Sequence, residues 1–378
     1  MIRVLHVLSG LYVGGAEMML VKLLEGMGPR AVDSEVVALQ GPGPMGPKIR
    51  ATGVQVGQLM PLDTIAPVGA LLGLRKAVQR YRPDVVHGWM YHGNLAATCC
   101  KVLADRGTRV AWNIRHSLDD LPNESKGTQA LVHAGSVASR FADAIVFNSQ
   151  TALRQHTAAG FRGKSSVVIE NGFDARRFRP SSKVRAAVRR RLGFSPESLV
   201  FGHVGRFHPL KGQACFLKAA AILARSSENV RFLMVGRGVE PGNEPLRALI
   251  RGPLLGRVVM LGEQDDVAGL MNAMDVFSLT SVSESFPNVL GEGMLCGLPC
   301  VATDVGDSRE VLGDAGILVP RRRPPELAGA WMRLVGATRA ERVALGRRAR
   351  ERVIRNFGLP RIVDAYVRLY ERLVRERH

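Results

Sequence analysis

The sequence predicts an α/β protein made of two doubly wound domains, each a parallel sheet with helices on both faces. Three observations predict it. Short, apolar, β-prone runs alternate with helix-period segments along most of the 378 residues, the rhythm of right-handed βαβ units. That rhythm breaks once, over an Arg- and Pro-containing segment at about 178–198, and then restarts. The length also suffices for two ordinary domains with separate cores.

Taken in order, residues 2–8 read as a first strand running into the loop Gly10–Glu17, which contains Gly14 and Gly15. Met18–Met27 follows as a helix, with Met19, Leu20, Leu23 and Leu24 on one face. Ser34–Leu39 is strand-like, Gly41–Pro47 a loop, and Val68–Arg80 a helix. A strand at Val85–His87, a helix over Gly93–Leu103 and a strand at Val110–Ile114 come next, the last ending in Arg115-His116-Ser117. A helix near Thr128–Phe141 and strands at Ala144–Phe147 and Val167–Ile169 complete the first domain, 1–177. Residues 178–198 read as a linker carrying a short basic helix.

The second domain, 199–359, restarts with a strand at Leu199–Val204 and a helix over Gly212–Leu223. Strands are expected at Arg231–Val235, Val258–Leu261, Val276–Leu279, Cys300–Thr303 and Gly316–Val319. Helices near Pro325–Val335, Arg339–Asn356 and Pro360–Arg377 close the chain. Ligands of such sheets sit beyond the carboxyl ends of the strands, which puts Gly14, Gly15, His87 and His116 at the business edge of the first domain.

Composition narrows the function. A hydrophobic content of 46% with 22% charged residues is that of a globular chain. No apolar run is long enough to span a membrane, and the N-terminus lacks the apolar core and cleavage site of a signal peptide. A cytoplasmic location is expected, with possible attachment at the inner face of the plasma membrane left open by charge. The net charge is +19, and residues 321–378 hold sixteen Arg against six Asp plus Glu. A second basic cluster runs from Arg176 to Arg191. Such a balance suits an anionic membrane face or another polyanion. A nucleic-acid role lacks the stacking platforms and binding modules it would need. The five cysteines lack paired spacing, so neither a disulfide framework nor a zinc site is indicated.

The chemistry concentrates in Ser281–Pro299. A buried strand ends in polar Ser281, Ser283 and Glu284, and a helix over Asn288–Cys296 stops on Gly297 and Pro299. The helix start favours an anion, while Glu284 and Glu292, two turns apart, accept hydrogen bonds from hydroxyls. A ligand with both phosphates and hydroxyls, such as a nucleotide sugar, fits. Arg206 and Lys211, in the loop Gly205–Gly212, are placed to hold a diphosphate. No Asp-x-Asp is present to clamp a metal on it, so metal-free stabilisation is expected and no cofactor is called for. His116 could hydrogen-bond a sugar hydroxyl or a phosphate oxygen.

Glu284-x7-Glu292, with Ser285-Phe286-Pro287-Asn288 between, resembles the paired-glutamate signature of family 4 glycosyltransferases. Gly14-Gly15-Ala16-Glu17, Asn148-Ser149, Asn171-Gly172-Phe173-Asp174, Gly205-Arg206, Lys211-Gly212 and Gly297-Leu298-Pro299-Cys300-Val301 extend the likeness along most of the chain. The resemblance implies two Rossmann-like domains facing across a cleft, the GT-B fold, with the last helix, here 360–378, returning to the first domain. It implies a retaining, nucleotide-sugar-dependent enzyme. Glu292 would bind the donor ribose and Glu284 the transferred sugar. Backbone amides of Phe286, Asn288 and Val289 would help to hold sugar and phosphate. Arg206 and Lys211 would neutralise the departing diphosphate, and Gly14 and Gly15 would let backbone approach phosphate or acceptor. His116 matches a strand-end histidine of the family within the variant context Trp112–Ser117. The expected acceptor is a saccharide or a lipid-linked saccharide in bacterial polysaccharide, lipopolysaccharide or glycolipid synthesis. The alternative is a soluble acceptor such as a sugar phosphate or small metabolite.

Overall fold

The computed structural model describes residues 1–28, 32–41, 43–58, 67–103 and 107–376. The chain divides into two compact units, Met1–Gly172 together with Leu359–His378, and Phe173–Gly358. Unit 1 contains β1 (Ile2–Leu8), β2 (Val32–Ala38), β3 (Gln55–Gln58), β4 (Val85–Trp89), β5 (Arg109–Ile114), β6 (Ala144–Phe147) and β7 (Ser166–Val168). They form one sheet in the order β3-β2-β1-β4-β5-β6-β7, parallel at every pairing. Unit 2 contains β8 (Leu199–Val204), β9 (Val230–Val235), β10 (Val258–Met260), β11 (Val276–Leu279), β12 (Cys300–Thr303) and β13 (Ile317–Val319). Their order is β10-β9-β8-β11-β12-β13, again all parallel.

In each sheet the chain begins in the middle, winds to one edge, and returns to build the other half. The reversals fall between β1 and β4 and between β8 and β11. At such a switch point the two following loops leave in opposite directions and open a crevice at the carboxyl ends. The loops after β8 and β11 are those that carry Arg206, Lys211 and Glu284.

Both faces of each sheet are covered, which is why the strands read as continuous apolar runs rather than alternating ones. In unit 1 the Gly15–Met27 and Leu359–Arg375 helices cover one face. Residues of Pro67–Tyr81, Met90–Leu103 and Lys126–Ala138 cover the other. The C-terminal helix buries Leu359, Ile362, Val363, Tyr366, Leu369, Tyr370 and Leu373, an i, i+3, i+4, i+7 stripe that needs a partner surface.

Several segments differ from the sequence-based expectation, among them the short helices Gly46–Arg50, Glu244–Arg247, Val267–Asn272 and Ser308–Leu312, which were not expected. The Gln55–Gln58 edge strand was not expected, because a four-residue stretch containing two glutamines carries no apolar signal. The Gln150–Ala158 helix was also missed. It is short and polar, and it is started by Ser149, whose Oγ accepts from the Ala152 amide at 2.9 Å. The stretch 178–198, expected as a linker, is packed into unit 2. Its Ser182–Arg191 helix sends Arg185 and Arg189 to the two carboxylate oxygens of Asp275, at 2.6 and 3.0 Å, just before β11. Arg189 is only 5% exposed, so this part of the basic cluster is structural.

Other arginines are similarly consumed. A helix leaves its last carbonyls without partners, and in unit 2 arginines from neighbouring segments supply them. Arg257 donates to Ala224 and Ser227 at the end of the Gln213–Ser226 helix. Arg342 reaches Leu334 and Ala337 after Pro324–Gly336. Arg350 reaches Leu295 at the end of Asn288–Leu295, and Arg352 reaches Glu310 and Val311. Part of the arginine excess in the C-terminal third therefore closes helices instead of forming a free basic surface.

Unit 1 buries several neutral histidines. His6 and His87 are register partners on β1 and β4, fully buried. Trp89 Nε1 donates to His6 Nδ1 at 3.2 Å, and Tyr370 OH lies 2.7 Å from His87 Nδ1. Burial lowers His6 to about 3 and His156 to about 4. It also lowers His87 well below its ordinary value, with the charges of His6 and Arg115 adding to the effect. The unfolded chain takes up protons near pH 6.5 that these folded sites refuse, so stability is full above that pH and falls below it. His6 and His156 each cost roughly 1.5 kcal/mol between pH 6.5 and 5. Thermal unfolding from pH 7 to pH 5 should show this loss, and His6→Gln should flatten the slope. A wild-type slope in that variant would exclude neutral burial of His6 as a source.

Candidate active site

Two loops of unit 2 are joined at the switch point. The Thr280 hydroxyl, just after β11, lies within hydrogen-bond reach of the Lys211 and Gly212 carbonyls, at 3.1 and 3.0 Å. The Val282 amide donates to the Leu210 carbonyl at 2.8 Å. Neutral His203, lowered to about 4 by burial, points Nε2 at the Lys211 carbonyl, 3.1 Å away. Gly212 sits at φ 70°, and a Cβ there would lie 1.9 Å from the Thr280 carbonyl oxygen. The close approach of the loops therefore requires glycine after Lys211.

This join brings Lys211 Nζ to 2.6 Å from Glu284 Oε1. The Ser281 hydroxyl donates to the same oxygen at 2.7 Å. The Glu284 side chain is 12% exposed and that of Lys211 29%, so the pair is partly withdrawn from water, where a charge-assisted bond is stronger. On the other side, Gly306 at φ 53° packs against the Glu284 carbonyl, and the Asp307 amide donates to the Ser285 carbonyl at 3.0 Å. Glu284 is thus held by main-chain contacts on two sides.

Phe286 points away from the loop into the core, with ring centroids 6.0 Å from Phe173 and 5.6 Å from Phe357. Only its backbone is left for a ligand. Asn288 and Val289 open the Asn288–Leu295 helix, whose preceding Pro287 provides no side-chain cap. The helix start retains its positive end for an anion. Glu292 is one turn on from Asn288, half-buried, and on the same side of the helix by spacing. Arg206 has an exposed side chain in a loop whose backbone is pinned by Gln213 Nε2 to the Arg206 carbonyl, 2.8 Å, and by the Phe207 amide to the Arg237 carbonyl, 2.7 Å.

Gly14, Gly15 and His116 belong to unit 1. Gly14 precedes the Gly15–Met27 helix and provides no side-chain cap, and nearby Glu17 is raised by burial. His116 follows β5 and is half-buried. Its Nδ1 lies 3.2 Å from Tyr91 OH and its Nε2 3.5 Å from Glu124 Oε1. Burial lowers its pKa and Glu124 partly opposes that shift. Tyr91 OH in turn lies 2.8 Å from His156 Nε2. Spacing along the chain gave no sign that Glu124, Tyr91 and His156 surround His116, nor that Ser281 and Thr280 organise Glu284 and Lys211. Among the described residues no cluster of three His, Cys, Asp or Glu side chains is arranged to hold a metal ion.

With this geometry in place, comparison with known proteins is informative. Residues 13–177 match the family described as Glycosyltransferase Family 4, and residues 198–336 match Glycosyl transferases group 1. EpsF of Bacillus subtilis, named as a glycosyltransferase, is 28% identical over 92% of this chain and 90% of its own. D-inositol 3-phosphate glycosyltransferase of Segniliparus rotundus is 35% identical over 53% of this chain, and the match spans 46% of that protein. The crystal structure of Anabaena HepE with UDP and glucose superposes with a TM-score of 0.84 at 24% identity, covering 98% of this chain and all of that one. WaaG, involved in lipopolysaccharide biosynthesis, gives a TM-score of 0.71 at 15% identity, covering 97% of this chain and 99% of its own. The two parallel-sheet units have the fold of the GT-B structures, and the family matches define the class, a glycosyltransferase of that type. Its two halves match two glycosyltransferase family models, Family 4 over the first and group 1 over the second.

The loop join has a measurable consequence. Thr280→Val keeps the shape but removes the hydroxyl that serves two loop carbonyls. Urea unfolding should show a loss of roughly 1–3 kcal/mol, and an unchanged midpoint would mean that those carbonyls are satisfied some other way.

Proposed function

We propose that this chain is a retaining, metal-independent transferase that moves a sugar from a nucleotide-sugar donor to a saccharide or lipid-linked acceptor. The observation that carries the reading is the Lys211–Glu284–Ser281 constellation at the switch point of unit 2. One cation and one anion lie in contact beside a helix start, so a ligand bearing both phosphates and hydroxyls can separate them without leaving either charge unpaired. Lys211 turns to the diphosphate, and Glu284 is released to a sugar hydroxyl. Arg206 adds the second positive charge, and Glu292 takes the ribose hydroxyls. The amides of Phe286, Asn288 and Val289 hold sugar and phosphate, and Gly14 and Gly15 leave room for phosphate or acceptor near the start of their helix. His116 hydrogen-bonds a hydroxyl of donor or acceptor once its contact with Glu124 is exchanged. HepE has been crystallised with UDP and with UDP-glucose, which supports a nucleotide-sugar donor.

In the reaction, the bond between the anomeric carbon and the diphosphate oxygen breaks, and the acceptor oxygen bonds to that carbon on the same face. The departing phosphate takes the acceptor proton, so no separate enzymic base is needed. The growing negative charge on the diphosphate is met by Arg206 and Lys211, the kind of fixed electrostatic stabilisation that is strongest where charge develops. WaaB, a lipopolysaccharide outer core galactosyltransferase, and WaaG, involved in lipopolysaccharide biosynthesis, support a lipopolysaccharide-type acceptor, and the +19 charge supports work at an anionic membrane surface. Among the described residues no helix is long and apolar enough to cross a membrane. A soluble anionic acceptor is the second reading, supported by similarity to D-inositol 3-phosphate glycosyltransferase and N-acetyl-alpha-D-glucosaminyl L-malate synthase.

A panel of nucleotide sugars should contain one that raises the unfolding temperature of the wild-type chain. With that donor, Glu284→Ala and Arg206→Ala should each lower kcat/KM for transfer by about 100- to 1,000-fold while leaving the circular dichroism spectrum unchanged. Near-normal transfer by Glu284→Ala would remove that residue from the mechanism.

A further inference from the structure

Arg115 carries a charge that no described residue answers with an ion pair. It follows β5 at the carboxyl edge of the unit 1 sheet, next in sequence to His116, but the two side chains turn to different neighbours. His116 joins Tyr91 and Glu124. Arg115 turns toward the C-terminal helix, where its Nη1 donates to Asn113 Oδ1 at 3.0 Å and to Tyr366 OH at 3.1 Å. Its guanidinium carbon lies 5.7 Å from the centre of the Trp89 ring. It forms no ion pair among the described residues. His87 offers no countercharge, since burial holds it neutral, with the charges of His6 and this same arginine adding to the effect.

The Nε and Nη2 atoms of Arg115 are both buried and have no hydrogen-bond partner among the described residues. These two atoms form one edge of the guanidinium, the edge on which a carboxylate or phosphate accepts two parallel N–H···O bonds. Arg109 and Arg189 each leave Nε alone unpartnered, whereas Arg115 leaves the whole edge. A buried charge with unsatisfied donors is costly. Asn113 and Tyr366 hold the third nitrogen and so fix the direction of the empty edge. The side chain as a whole remains partly exposed, at the end of the sheet where ligands of this fold class bind.

We propose that the Nε–Nη2 edge of Arg115 is an anion-binding subsite in unit 1, taking a phosphate or carboxylate group. If the transferase reading holds, the anion is part of the acceptor, opposite in role to the donor phosphates held by Arg206 and Lys211. Trp89 and Tyr366 provide the flat walls beside it, and Asn113 and Tyr366 are positioning residues.

The test is thermal unfolding of the full chain titrated with inorganic phosphate and, separately, with malonate. The wild type should show a saturable rise of roughly 3 °C with at least one of them. The anion that gives it distinguishes phosphate from carboxylate. The rise should persist in Arg206→Ala, which disables the donor side, and vanish in Arg115→Met. The anion-free midpoint of Arg115→Met should be no lower than that of the wild type, because an unpartnered buried charge has been removed. Arg115→Lys, which keeps the charge but not the fork, should retain less than half of the rise. A full rise in Arg115→Met, or no rise with either anion in the wild type, overturns the proposal. The response to UDP, measured in the same Arg115→Met protein, tests the donor reading independently.

Discussion

Every strand in both sheets runs in the same direction, and the rest of the structure depends on that constraint. Parallel neighbours cannot be joined by a tight turn, so each strand must be followed by a crossover, usually a helix, that covers a face of the sheet. The amino ends of the strands then collect the return loops, and the carboxyl ends collect the loops that leave. Where the winding reverses, between β8 and β11, two departing loops diverge and leave an opening. Lys211 and Glu284 come from those two loops and meet at 2.6 Å, although 73 positions separate them in the chain.

Electrostatics in this protein is decided by local geometry more than by net charge. The chain carries an excess of 19 positive charges, yet Arg185, Arg189, Arg257, Arg342, Arg350 and Arg352 spend their donors on Asp275 or on the ends of helices. An arginine used in this way keeps its charge but loses its freedom to recruit a partner. Arg206 is exposed and Arg115 forms no ion pair among the described residues, and those two differ from the structural arginines in what surrounds them. Lys211 falls between the two cases. Its partner Glu284 is itself a hydrogen-bond acceptor suited to a hydroxyl, so their contact can be exchanged for contacts with a ligand.

The C-terminal helix shows how packing and polarity are combined in unit 1. Its apolar stripe covers the sheet, while the hydroxyls of Tyr366 and Tyr370 reach Asn113, Arg115 and His87 within that covered face. Tyr370 partners His87 at Nδ1, and burial holds that histidine neutral. These polar contacts also fix the helix in register, because a buried hydroxyl that loses its partner costs more than an apolar contact shifted slightly.

Much of the architecture was legible from sequence because burial on both sheet faces writes itself into the chain as apolar runs. β1, β6, β8, β11 and β12 have the expected bounds, and most others lie within two residues of them. The Gln55–Gln58 edge strand and the Gln150–Ala158 helix were not legible, because an edge needs little apolar content and a capped polar helix depends on its surroundings. Of the site, residue types and motif spacing pointed to Glu284, Glu292, Arg206, Lys211 and His116, and the family match covers both halves of the chain. What only the tertiary structure decided is which groups answer one another. Ser281 and Lys211 share one oxygen of Glu284, Glu124 and Tyr91 hold His116, and Arg115 has one edge with no partner among the described residues. A sequence lists charges along a line. Whether a charge is paired depends on distances of about 3 Å between residues far apart on that line, and only the folded backbone sets those.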